Sequence, residues 1–328
     1  MKKIFIIMMF SVLLLCGCGK VNNDNIIKDL SKKIDDINSY HLSGTLEIYR
    51  NEDKYVYDVN SSYKKGDLYK VDLVNQTNNH QQIILKNNEG VYVITPSLNK
   101  SFKFQSDWPY NNSQIYLLQP IISDLTSDKE RTIEKTTNGY VLTSKVNYTS
   151  EKDFNIQKVY LDKDKNILKI EVLDDDQNVK MQLKIIDIDY KSKFDNDYFS
   201  TTKYLSEVDK DKDISSSKIE DIVYPMYVPI DTQLSGQDII ETSDGERVIL
   251  TFSGESAFTM VQETYNDVNG TEYIYGDPYL ILDTVGCLTD SSISWVSNGV
   301  EYSVMSDTMD VDELLTVAQS ITVKSVGK

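Results

Sequence analysis

The sequence predicts a mainly β, α+β protein: an antiparallel half-barrel wrapped around helices, followed by a small α+β C-terminal domain. Three observations predict it. An amphipathic helical stripe precedes a long run of segments with apolar residues at every second position, polar turns separate those segments, and a charged stretch without apolar periodicity divides the run from a shorter second one.

The N-terminus predicts export. Lys2 and Lys3 precede Ile4 to Leu15, a stretch that is apolar throughout except for Ser11. A permanent span needs about 20 apolar residues, so residues 1–17 read as a signal peptide. Leu15 and Gly17, at −3 and −1 before Cys18, resemble the lipobox of bacterial lipoprotein signals, in which the cysteine becomes the diacylated N-terminus. Two acyl chains such as palmitate hold a protein stably where one is marginal. Cys18 is therefore the expected lipid-attachment site, residues 18–24 a lipidated tether, and the outer face of the cytoplasmic membrane the expected location. The competing reading is an ordinary signal peptide in which Cys18 is incidental.

Cleavage there removes Lys2 and Lys3 and no acidic residue, so the formal net charge moves from −17 to −19. So acidic a surface argues against nucleic acid or anionic headgroups as partners. With Cys18 acylated and Cys16 removed, Cys287 is the only thiol left, which excludes an intrachain disulfide. Beside Gly286 it reads as a small buried hydrophobe. About 310 mature residues exceed one ordinary core, and two domains are expected, 25–207 and 219–328, joined by a polar linker at 208–218 (Val208 to Lys218).

Along the first domain, Ile26, Ile27, Leu30, Ile34, Ile37 and Tyr40 recur at helical spacing. The period then becomes two: Leu46-Ile48, Tyr55-Tyr57-Val59, Tyr69-Val71-Leu73, Ile83-Leu85 and Val91-Val93, with turn signals at Lys65-Gly66-Asp67 and Asn87 to Gly90. A second helix is expected over Ser113 to Leu125, kinked or divided at Pro120. Strands resume at Arg131 to Thr136, Tyr140 to Tyr148, Ile156 to Leu161, Ile167 to Leu173 and Val179 to Tyr190, giving ten or eleven in all. A sheet that wide seldom stays flat and must curl around the helix.

The second domain begins with Tyr224 to Pro229, whose two prolines exclude a central strand. Strands are expected at Arg247 to Phe252, Ala257 to Glu263, Tyr279 to Asp283, Ser292 to Val296 and Val300 to Met305. Asp310, with Glu313 three residues on, caps a last helix whose Val311, Leu314, Leu315, Ala318 and Ile321 share one face.

Catalytic constellations are thin. His41 and His80 stand at a helix-to-strand junction and in a polar turn, outside any HExxH spacing, and there is no GxSxG, phosphate-binding loop or paired cysteine for zinc. Asp209, Asp211, Asp213 and Glu220 match calcium-loop positions but have Ile214 where the loop needs glycine. Asp162, Asp164 and Asn166 lack both glycine and closing glutamate and read as a hairpin turn. No catalytic residue, metal ligand or cofactor is nominated. The densest aromatic stretch is Tyr92 to Leu118, with Phe102, Phe104, Trp108, Tyr110 and Tyr116 between a strand and a helix. Such a block either closes one end of the sheet or forms a surface for a partner or apolar ligand.

The leading helix, the hairpins, Gly90 to Pro96 and the helix after them resemble the LolA-like half-barrel of lipoprotein carriers. Ser101 to Gln119 (SFKFQSDWPYNNSQIYLLQ), with the lipobox, is closer to the YdcC/GerS group of sporulation and germination lipoproteins of spore-forming Gram-positive bacteria. Members of that group carry the label outer-membrane lipoprotein-sorting protein through fold similarity. Ile249 to Glu263 and Val285 to Asp307 are similar to the extra domain of its longer members. The resemblance implies a binding protein: an envelope lipoprotein with a cortex-modifying amidase as partner or, alternatively, a carrier holding an acyl chain on the concave face. A wall hydrolase is a third reading without residues to support it.

Overall fold

The computed structural model describes residues 24–50, 53–98, 100–111, 113–148, 153–205, 218–219, 221–242, 245–264, 271–297 and 299–321. The signal peptide, Cys18, nearly all of the 208–218 linker and the Asp209 to Glu220 pattern lie outside the described residues.

Helix α1 (Asp24–Asp35) buries Ile26, Ile27, Leu30 and Ile34 of the expected stripe; the helix ends before its last two members, Ile37 lying in the turn that follows and Tyr40 on the first strand, where both are still buried. Six strands follow as hairpins: β1 (Ser39–Arg50), β2 (Asp53–Lys64), β3 (Leu68–Asn75), β4 (Gln81–Asn87), β5 (Gly90–Thr95) and β6 (Lys100–Gln105). After α2 (Leu118–Ser127) come β7 (Thr132–Lys135), β8 (Gly139–Lys145), β9 (Ile156–Asp162), β10 (Ile167–Leu173) and β11 (Val179–Asp189). Strand β11 returns to pair antiparallel with β1, so the two runs meet side by side in one sheet. Alternation decides which side chains face inward: Leu42, Leu46, Val59, Val71 and Leu183 pack with α1 and α2 in the main core. Ile83, Leu85, Tyr92 and Ile94 face the other way and are covered by Phe194, Tyr198 and Phe199.

The second part contributes β12 (Thr232–Thr242), β13 (Gly245–Gly254), β14 (Phe258–Thr264), β15 (Thr271–Tyr275), β16 (Asp277–Ile281), β17 (Thr284–Leu288), β18 (Ser292–Ser297), β19 (Val300–Met305) and α3 (Val311–Gln319). Seven of these strands form a second sheet in the order β12-β13-β14-β19-β18-β17-β16, with its own core under α3. The eighth, β15, leaves it and pairs in parallel with β6, Thr271 opposite Ser101. The first sheet is thus twelve-stranded, with β15 and β7 as its edges, and stays open.

Side chains fasten the two sheets together. Gln82 on β4 accepts from the Val285 amide and from Thr284 Oγ1 (3.0 Å) and donates to the Val285 carbonyl at 3.2 Å. Tyr57 donates to Leu282 O at 2.7 Å and Asn78 to Asp283 at 2.8 Å. Within the first sheet, buried Lys100 on β6 pairs with Glu272 on β15 at 3.0 Å.

Two local expectations change. The second helix begins at Leu118 rather than Ser113, because the Ser113 amide is drawn out to Asn147 O at 2.8 Å. Pro120 therefore sits in the first helical turn, where its missing N–H breaks no intrahelical bond, and neither kinks nor divides the helix.

Candidate functional site

The site starts from three tyrosines that strand register brings into one row. Tyr40 on β1 lies opposite Tyr63 on β2, and Tyr63 opposite Tyr69 on β3. Their rings follow at centroid spacings of 5.7 and 5.0 Å. Tyr40 ends the row inside: its hydroxyl donates to Gln119 Oε1 and accepts from the Leu118 amide, both at 3.2 Å, so it satisfies a buried first-turn donor of α2 that has no intrahelical acceptor. Tyr69, itself buried, ends it toward the surface, edge-on to Trp108 (6.1 Å) and to Tyr110 (6.2 Å).

The five aromatics nominated from the sequence do not share one surface. Trp108 is 1% exposed and Phe104 and Tyr116 are buried in the main core; Phe102 is partly buried with Lys100 Nζ 4.9 Å from its ring. Tyr110 alone is open, at 61%. Density along the chain gave no direction, because the described residues of 101–117 change from strand to irregular backbone and keep no period.

Tyr110 is nevertheless held in place. Its hydroxyl donates to Asp67 and lies 3.2 Å from the Tyr69 hydroxyl. Asp67 reaches it from the β2–β3 turn, where it adopts φ 66° directly after Gly66 at φ 105°. Lys86 completes the setting: its Nζ is 4.6 Å from the Tyr110 ring centroid, 3.1 Å from Asp67 and donates to Trp108 O at 2.8 Å. Burial, then the hydrogen bond to Asp67, pushes the Tyr110 phenol up to about 12, so it remains a neutral donor across physiological pH. An exposed, preordered tyrosine between a cation and a carboxylate suits contact with another macromolecule, since little side-chain freedom remains to be lost.

The remaining candidates are structural. His41 Nδ1 lies 2.9 Å from Ser62 Oγ, and burial lowers the pKa of His41 and of His80, keeping both rings neutral at pH 7. Asp162 accepts from the Asp164 amide and from both nitrogens of Asn166, forming the β9–β10 turn. Among the described residues no group of three or more His, Cys, Asp or Glu is placed to hold a metal. Cys287 is buried, donates to Tyr275 O at 3.1 Å, and has its thiol pushed up to about 12 by burial, which makes it unreactive.

Fold and site together define a helix-filled open half-barrel joined to a second sheet, with a surface aromatic anchor. No family model matches the chain. The sporulation protein YdcC of Bacillus subtilis (strain 168) is 32% identical over 328 residues, 98% of this chain and 97% of the relative. The chain belongs to the YdcC family of sporulation proteins. Among solved structures, MucB aligns over 92% of this chain and 98% of its own at 13% identity and a TM-score of 0.35. The CwlD amidase of Clostridioides difficile in complex with the GerS lipoprotein aligns over 51% and 95% at 24% and 0.33. A LolA superfamily protein from Nitrosomonas europaea aligns over 55% and 99% at 12% and 0.29. At these scores the structural likenesses assign nothing to the chain.

Proposed function

We propose that this chain is a membrane-anchored, non-enzymatic sporulation protein that works by contacting an envelope partner, with Tyr110 and its Asp67–Lys86 setting as the contact. The observation that carries the reading is the 32% identity, over nearly the whole of both chains, to a protein named for sporulation. The lipobox before Cys18 supports the anchor, and the resemblance of Ser101 to Gln119 to the germination lipoproteins makes a cell-wall amidase the partner class to test. The acyl-carrier reading has less support. Residues of α1 and α2 pack against the strands in one continuous core, and an acyl chain would have to displace a helix to enter.

The test uses the full acylated chain, affinity-purified from sporulating cells, against its Tyr110→Ala variant. Tyr110 is exposed, so the variant keeps its fold, and one envelope protein should be recovered at least ten-fold less with it. Equal recovery of every envelope protein by the two chains would remove Tyr110 from the contact.

A further inference from the structure

Edge strands of stable proteins are usually short, charged with lysine, or interrupted by proline, because a bare edge recruits other chains. Strand β12 has only one blunting device, a bulge between Leu234 and Gly236, and runs in unbroken register from Gly236 to Thr242. It is eleven residues long, contains neither lysine nor proline, and among the described residues no strand other than β13 pairs with it. Register sets Ile239 opposite Val248, on the face of the buried core, and Ile240 opposite Arg247, on the reverse face. Both isoleucines are open, at 54% and 43%. Leu234, on the core face opposite Phe252, is exposed as well, and Tyr224 lies along the same face, its hydroxyl donating to Gln237 at 2.6 Å.

Apolar side chains on both faces of a strand are the pattern of a central strand. A docked helix would cover one face. An added strand covers both while pairing the free backbone groups.

Charge selects the occupant. The only charged residues on β12 are Asp238 and Glu241, one on each face, and Asp231 precedes the strand. The neighbouring Arg247 is already committed to Glu263, at 2.9 and 2.8 Å. Pairing with a second copy centred on Ile239 and Ile240 sets Asp238 against Glu241 of that copy, between chains of formal charge −17. We infer that the outer edge of β12 binds an extended segment of another protein that carries lysine or arginine at cross-strand positions and apolar residues between them. This is a second surface, on the other sheet from Tyr110.

The test places photoreactive benzoyl-phenylalanine at Ile239 or at Ile240 of the full chain, in growing and in sporulating cells, and sequences the cross-linked peptides. The inference predicts that both positions, though on opposite faces, trap the same peptide of one other protein, with a basic residue within two positions of the link. Yield should fall at least ten-fold in an Asp238→Lys, Glu241→Lys background and remain unchanged in Tyr110→Ala, which separates this surface from the one under Proposed function. Adducts with a second copy, unrelated peptides from the two positions, or no adduct would each overturn it.

Discussion

Asp124 shows how strongly one position responds to its surroundings. It lies on α2 where burial raises its carboxyl from 3.8 to about 6, only partly opposed by the hydrogen bond from Ser113 Oγ at 2.8 Å. The folded value stands above the unfolded one. Its contribution to stability is therefore fully present below about pH 4 and is lost as pH rises through 6, a loss on the order of 1–3 kcal/mol. Asp124→Asn keeps an acceptor for Ser113 and removes the ionisation, so the variant should be more stable than wild type at pH 7.5 and nearly equal to it at pH 4. Urea midpoints at the two pH values measure this. Cys18 is the other residue with a separable consequence: Cys18→Ala should lose acylation and move from the detergent phase to the aqueous phase on Triton X-114 partitioning.

Among the elements, legibility followed periodicity. The stripe of α1, the alternating strands of the first sheet and the Asp310 cap, whose carboxylate accepts from the Glu313 amide at 2.9 Å, were all readable because each repeats a local rule. Three strands were not. β12 is exposed on both faces and β17 buried on both, so neither alternates. β15 is five residues long and its partner lies about 170 positions earlier in the chain, where no local pattern can announce it. Of the candidate site, the sequence located the aromatic block but could not tell that four of its five rings turn inward. Element packing also makes a prediction at Gln82. Replacing it by leucine leaves the Val285 amide and carbonyl without their buried partner, and Gln82→Leu should destabilise the chain by about 2–4 kcal/mol, read from its denaturation midpoint.

At the scale of the whole molecule, width and connection matter most. A sheet of twelve strands leaves room for two helices against one face, and exporting β15 into it makes the second sheet part of the first one's edge. The two surfaces proposed for contact then sit on opposite sheets of a single assembly: Tyr110 beside the β2–β3 turn, and the free edge of β12. Under the proposed function these two surfaces would serve separate partners. The most direct measurement of that function is the cortex muropeptide profile of spores that lack this protein. A partner-dependent role predicts loss of muramic lactam, restored by the wild-type chain and not by Tyr110→Ala; an unchanged profile in the absence of the protein would contradict it.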